Sequence, residues 1–204
     1  GLGDVYKRQL TNLTIDYSNL KTSSFEKIFY SEKEEYITQV KDGTISLESY
    51  NKAKILDALY YLNAEDASDV FHSLLNAKTD FTTEELCDFF IYSDSTLSSQ
   101  YLIEALQNGN IAPLSADAIS ELCPYLKNEC LTEILQYLPQ EEYGDAFIEA
   151  LPYLNDDQIE YCLSKFIDNG GVVTFSMYDE LSPYINKKGI LQKLDQQLPK
   201  LGTP

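Results

Sequence analysis

The chain has 204 residues, 44% of them hydrophobic and 12% aromatic, which is too apolar for a disordered acidic tail and enough for one sizeable core or one continuous stack of small units. Its 33 acids and 15 bases leave a formal charge of −18, a balance that argues against phosphate-backbone binding, which draws its affinity from clustered Lys and Arg; neither DNA nor RNA is an expected partner. No apolar run reaches the ~18 residues needed to span a bilayer.

Residues 1–9 resemble a translated sequencing adapter: Asp4-Val5-Tyr6-Lys7-Arg8-Gln9 reads back as GAT GTG TAT AAG AGA CAG, the end of a transposase tag. The native sequence is expected to begin near Leu10, with residues 10–204 forming one helical-repeat domain of an open reading frame cut at its start. Without Asp4, Lys7 and Arg8, 32 acids and 13 bases remain, a charge of −19.

Self-similarity organises the rest of the chain. In order, Phe29-Tyr30, Tyr60-Tyr61-Leu62, Ile91-Tyr92, Cys123-Pro124-Tyr125-Leu126, Leu151-Pro152-Tyr153-Leu154 and Ser182-Pro183-Tyr184-Ile185 fill one slot. Anchoring on Tyr30, Tyr61, Tyr92, Tyr125, Tyr153 and Tyr184 gives steps of 31, 31, 33, 28 and 31 residues. Because 16 of the 204 residues are tyrosine, the anchor needs support from elsewhere. Ten residues on, every copy is apolar: Val40, Phe71, Leu102, Leu135, Leu163 and Leu194.

Offsets of 6 (Tyr36, Ala67, Ser98, Leu131, Ile159, Ile190), 9 (Val70, Tyr101, Ile134, Cys162) and 13 (Leu74, Ala105, Leu138, Phe166) join the offset of 10 in one inward stripe at 3.6 residues per turn. This is the second helix of each unit, about ten to twelve residues long. Asn63, Asp94, Asn155 and Asn186 are its N-caps, and Glu65, Asp66, Glu129, Asp156 and Asp157 crowd its first turn, where the helix dipole favours anions. Asp42-Gly43, Asn108-Gly109 and Asn169-Gly170-Gly171 are its stops.

The first helix of each unit runs up to the anchor, as in Thr82-Thr83-Glu84-Glu85 opening into Leu86-Cys87-Asp88-Phe89-Phe90, where Thr82 and Glu85 have capping-box spacing. Its inward slot holds Ile28, Leu59, Phe90, Cys123, Leu151 and Ser182, and Pro124, Pro152 and Pro183 should bend or end it. The single β-like run, residues 171–175, reads as a loop between units. Neither helix is long enough to be stable alone, so each unit must bury its stripe against the next.

Asp145-Ala146-Phe147-Ile148-Glu149-Ala150-Leu151 followed by Asn155-Asp156-Asp157-Gln158-Ile159-Glu160 resembles the short HEAT-type repeat first associated with phycobilisome lyases, and the likeness covers most of residues 25–198. The family often carries an Arg early in the second helix, where this chain has Glu160, Thr132 and Leu191. The resemblance therefore implies an architecture and a binding role, without chromophore chemistry.

No constellation points to catalysis, metal or cofactor. His72, the only histidine, lies beside the apolar stripe without an identifiable nucleophile or orienting partner. Paired carboxylates such as Asp156 and Asp157 more simply cap a helix, no EF-hand spacing occurs, and Gly170-Gly171 is followed by no phosphate-loop signature. Cys87, Cys123, Cys130 and Cys162 lack zinc or redox spacing and read as small core residues suited to a reducing cytosol, with two disulfides open as the alternative in a secreted protein. The tyrosine row reads first as packing between helices and second as a recognition surface.

The expectation is an all-α, right-handed α/α superhelix (solenoid) of about six two-helix repeats of roughly 31 residues, with second helices and much of the acidity on its concave face. Its expected role is a protein-interaction scaffold binding a basic or amphipathic protein segment through Glu65, Asp66, Glu129, Asp156 and Asp157. The alternatives are a helical-repeat lyase or isomerase acting on a bound pigment, and a structural spacer of a larger protein.

Overall fold

The computed structural model describes Leu56, Leu59, Tyr60, residues 62–185, Ile190, Gln192 and residues 194–196. The expectations for Tyr30, Tyr61, Asn186 and residues 1–9 lie outside the described residues. The protein is all-α: helices and short connections account for the described residues, with no strand among them. The chain divides into two compact units, Gly1–Ile111 and Ala112–Pro204.

In the first unit, α1 (Ala64–Asn76), α2 (Thr83–Tyr92) and α3 (Ser95–Gln107) begin at caps that satisfy otherwise unpaired amides. Asn63 Oδ1 accepts from Asp66 N at 2.7 Å and Asp94 Oδ1 from Leu97 N at 2.9 Å. Thr82 and Glu85 close the expected capping box, Thr82 Oγ1 accepting from Glu85 N and Glu85 Oε1 from Thr82 N.

Helices α1 and α3, second helices of successive predicted pairs, pack on each other, and α2 packs on both. The buried serines Ser68, Ser98 and Ser99 let them approach closely. Ser68 Oγ accepts from Asp94 N at 2.9 Å and lies 3.2 Å from Ser98 Oγ, so the start of α3 is tied to the first turns of α1. Around Phe71, which is wholly buried, gather Phe89 (stacked, 4.9 Å between centroids), Phe90 and Phe81.

In the second unit, α4 (Ala116–Leu122), α5 (Asn128–Leu135), α6 (Gln140–Ala150), α7 (Asp156–Asp168) and α8 (Phe175–Leu181) follow one another, with 3₁₀ turns at Leu151–Tyr153 and Ser182–Tyr184. Helix α6 is the hub: α4, α5, α7 and α8 each pack on it. Glu142 of α6 reaches across so that its Oε2 accepts from Ala116 N at 2.9 Å, adding a second cap to the one Ser115 supplies to α4. Ser120 Oγ and Glu149 Oε2 (3.1 Å) make a further α4–α6 tie. Residues 171–174 are irregular, as expected for a loop, with Val173 buried and Thr174 capping α8.

The inward stripe is where the offsets place it: Phe71, Leu102, Leu135, Leu163 and Leu194 are buried, as are Ala67, Ser98, Leu131, Ile159 and Ile190. Four expectations need correction. Phe166 and Tyr101 are half-buried, Phe166 because its neighbour α5 has only 8 residues against 13 in α7, and Tyr101 because it covers the ring of His72. Ser182 is exposed, its hydroxyl donating to Asp179 O. Second helices are 13 residues long in α1, α3 and α7, not ten to twelve. The tyrosine row, read first as packing between helices, lies at the margin of the core: Tyr92, Tyr153 and Tyr184 are half-buried and Tyr125 exposed. At Pro152 and Pro183 the helix gives way to a 3₁₀ turn, and after each of the three proline-preceded tyrosines the next residue, Leu126, Leu154 or Ile185, takes the buried place.

Three helices end alike. Beyond α3 and α7, Gly109 (φ 69°) and Gly170 (φ 90°) adopt the left-handed conformation that lets the next amide reach back to Ala105 O and Phe166 O. Beyond α1 the same place, seventeen residues after the anchor slot, holds Lys78 at φ 56°, with Thr79 N bonded to Leu74 O. A lysine there carries a steric cost that glycine avoids. Lys78→Gly should raise the unfolding free energy by ~1 kcal/mol and Gly170→Ala should lower it by about as much, measured by urea unfolding. Destabilisation by Lys78→Gly would contradict this reading of the α1 terminus.

Candidate functional site

Five carboxylates were expected to face a partner. Glu65 is exposed and Asp66 half-exposed in the first turn of α1; Glu129 is exposed in the first turn of α5; Asp156 is half-exposed and Asp157 exposed in the first turn of α7. Within the second unit, Gln158 brings two of these helix starts together. Its Oε1 accepts from Asn155 N and its Nε2 donates to Asn128 O, each at 2.9 Å, so one side chain completes the capping box of α7 and ties it to the first residue of α5. Glu129 and the Asp156–Asp157 pair are thus held on neighbouring helix ends. In the first unit, Asp94 N donates to Ala64 O at 3.1 Å and places the capping carboxylate of α3 beside the helix start that carries Glu65 and Asp66.

His72, on α1, stacks face to face on Tyr101 of α3, with centroids 4.0 Å apart and planes 10° apart. Its Nε2 is 3.5 Å from Glu104 Oε2 without an aligned hydrogen bond. Burial first, and then the charges of Asp69, Glu104 and Glu65, raise the Tyr101 hydroxyl above its ordinary pKa. The arrangement joins two helices and offers no base aimed at a nucleophile.

None of the four cysteines is joined in a disulfide. Cys123 and Cys162 are core residues as expected, whereas Cys87 and Cys130 are half-buried, at the margin of the core rather than within it. Burial, reinforced by Glu149, pushes the Cys123 thiol up to about 12. Burial pushes Cys162 up to about 11, against the lowering effects of Tyr143 and Lys165. Both stay protonated near neutral pH and are poor nucleophiles. Among the described residues, no three His, Cys, Asp or Glu side chains are grouped to hold a metal ion, and no described helix is long and apolar enough to cross a membrane.

One concavity stands out in the second unit, and the sequence reading did not anticipate it. Helix α5 ends at Leu135 while α7 continues to Asp168, and the overhang leaves a cleft of about 350 Å³ between the turn after α5, the start of α6 and the last turn of α7. Leu138, Tyr143 and Phe166 form its apolar wall. Phe166 lies so close on Gly144 and Gly171 that a Cβ at either would come within 2.8 and 2.5 Å of its ring. The rim is polar: Gln140 Nε2 donates to Asn169 O at 2.8 Å, Gln136 Nε2 to Tyr161 OH at 3.0 Å, and Lys165 Nζ to the same hydroxyl at 3.4 Å. The signal available beforehand was the anchor step of 28 residues, which removes most of a helical turn from this pair.

Comparison with protein families, with curated proteins and with solved structures finds no match for this chain.

Proposed function

We propose that the chain is a protein-interaction module of HEAT-like helix pairs, about six by the 31-residue periodicity, stacked as an α-solenoid, and that it binds a basic or amphipathic segment of another protein. The observation that carries this reading is the like-on-like packing inside each unit. Second helix α1 meets second helix α3, first helix α4 meets first helix α6, and side-chain hydrogen bonds join residues 25 to 30 apart. Units added in such register build extended surface, which suits a partner laid along it. Formal charge of −18 and carboxylates at successive helix starts favour a cationic segment and speed its encounter. A cytosolic location fits four cysteines outside disulfides.

The lyase or isomerase reading has less support, since His72 is covered by Tyr101 and the Cys123 and Cys162 thiols are held protonated. Selection of random peptides on the immobilised chain should enrich sequences rich in Lys and Arg with interspersed apolar residues, and their binding should weaken as salt is raised. Enrichment of neutral or acidic sequences would overturn the proposal, and no enrichment at all would favour the spacer.

A further inference from the structure

The cleft between α5, α6 and α7 combines features that a purely acidic surface lacks. Its wall is apolar and its floor is fixed by Phe166 wedged against two glycines. On the rim, Gln136 and Gln140 each use one amide N–H on Tyr161 OH and Asn169 O, and their side-chain carbonyls can accept from a ligand. Apolar surface continues beside it: Tyr161 and Val172 are 44% and 46% exposed, although large apolar side chains left this open are uncommon along the described chain. The unit that holds the cleft is acidic, although the one charged side chain lining the cleft itself is Lys165. Residues 112–185 hold fourteen Asp and Glu against two cations, Lys127 and Lys165.

The negative charge of the unit favours a positively charged partner, while the apolar wall selects a side chain that buries carbon. We infer that this cleft is the anchor pocket for one large apolar or aromatic side chain carried by a basic protein segment, whose flanking Lys and Arg lie among the surrounding carboxylates. The inference rests on the proposed binding role and adds where the segment is gripped and by what. Lys165, the one cation on the rim, opposes such a segment.

The chain contains no tryptophan, so a probe's own indole reports its burial. The probe is a synthetic peptide of alternating Lys and Ser with one central Trp, compared with the same peptide carrying Ala in its place, each titrated against the full chain at low and at physiological salt. The Trp peptide should bind about tenfold more tightly than the Ala peptide and its emission should shift to the blue. Gln136→Phe, which fills the cleft, should abolish both the preference and the shift; Gln136→Ala, which only removes the tie to Tyr161, should keep them, and Lys165→Gln should tighten both peptides. Equal, salt-sensitive binding of the two peptides without a blue shift would overturn the anchor pocket and leave the binding role standing. So would a preference that survives Gln136→Phe. Failure of both peptides to bind at low salt would overturn the binding role itself, and the pocket with it.

Discussion

Phe71→Ala should lower the free energy of unfolding by ~3 to 5 kcal/mol, the range for truncating a fully buried aromatic. The size follows from what surrounds the ring. Phe71 has no exposed surface, stacks on Phe89, meets Phe90 edge-on and lies 6.0 Å from Phe81, while Phe81 also meets Phe89 edge-on. Removing the central ring leaves a void lined by three others on or just before α2, while α1 and α2 are already fixed by the caps at Asn63 and Thr82, so collapse can recover little. Urea unfolding followed by circular dichroism measures the loss; a cost below ~1 kcal/mol would mean that Phe71 is not the centre of its unit.

Leu135→Ala and Leu163→Ala should each cost ~2 to 5 kcal/mol, and Glu129→Ala close to nothing. Both leucines are wholly buried at the same offset from their anchors, on α5 and α7, whereas Glu129 is exposed in the first turn of α5. Its carboxylate interacts with the helix dipole through solvent, an effect of a few tenths of a kcal/mol that salt screens further. Thermal melts of the three variants in one buffer test the contrast. Equally mild melting shifts would show that the inward stripe has been misassigned.

Helix starts were the most legible part of the fold. An Asn or Asp two residues after the anchor, or a Thr with Glu three residues on, specifies a cap by local chemistry alone, and Asn63, Thr82, Asp94 and Asn155 all accept the expected amide hydrogen bond. The core was legible for a similar reason, since a fixed offset in a regular helix fixes the face. Features set by the fit between neighbours were not. Lys78 takes the place of a glycine, and nothing in its identity announces a left-handed residue. Nor does spacing encode which of the tyrosine and the residue after it takes the buried place. The cleft depends on one helix being shorter than the next: the 28-residue step was visible, but its consequence, an overhang with Phe166 at its base, needs both helices in place.

Among the described residues, side-chain hydrogen bonds that tie successive like helices bridge 25 to 30 residues, from Gln136–Tyr161 to Ser68–Ser98. None of these ties closes a long loop, so the backbone entropy lost in docking each new pair is a similar, modest increment that grows only logarithmically with the segment enclosed. Low contact order of this kind favours rapid folding from whichever pair orders first. On the proposed repeat, excising one whole period removes a self-similar segment, and the flanking pairs rejoin through the same kind of contact.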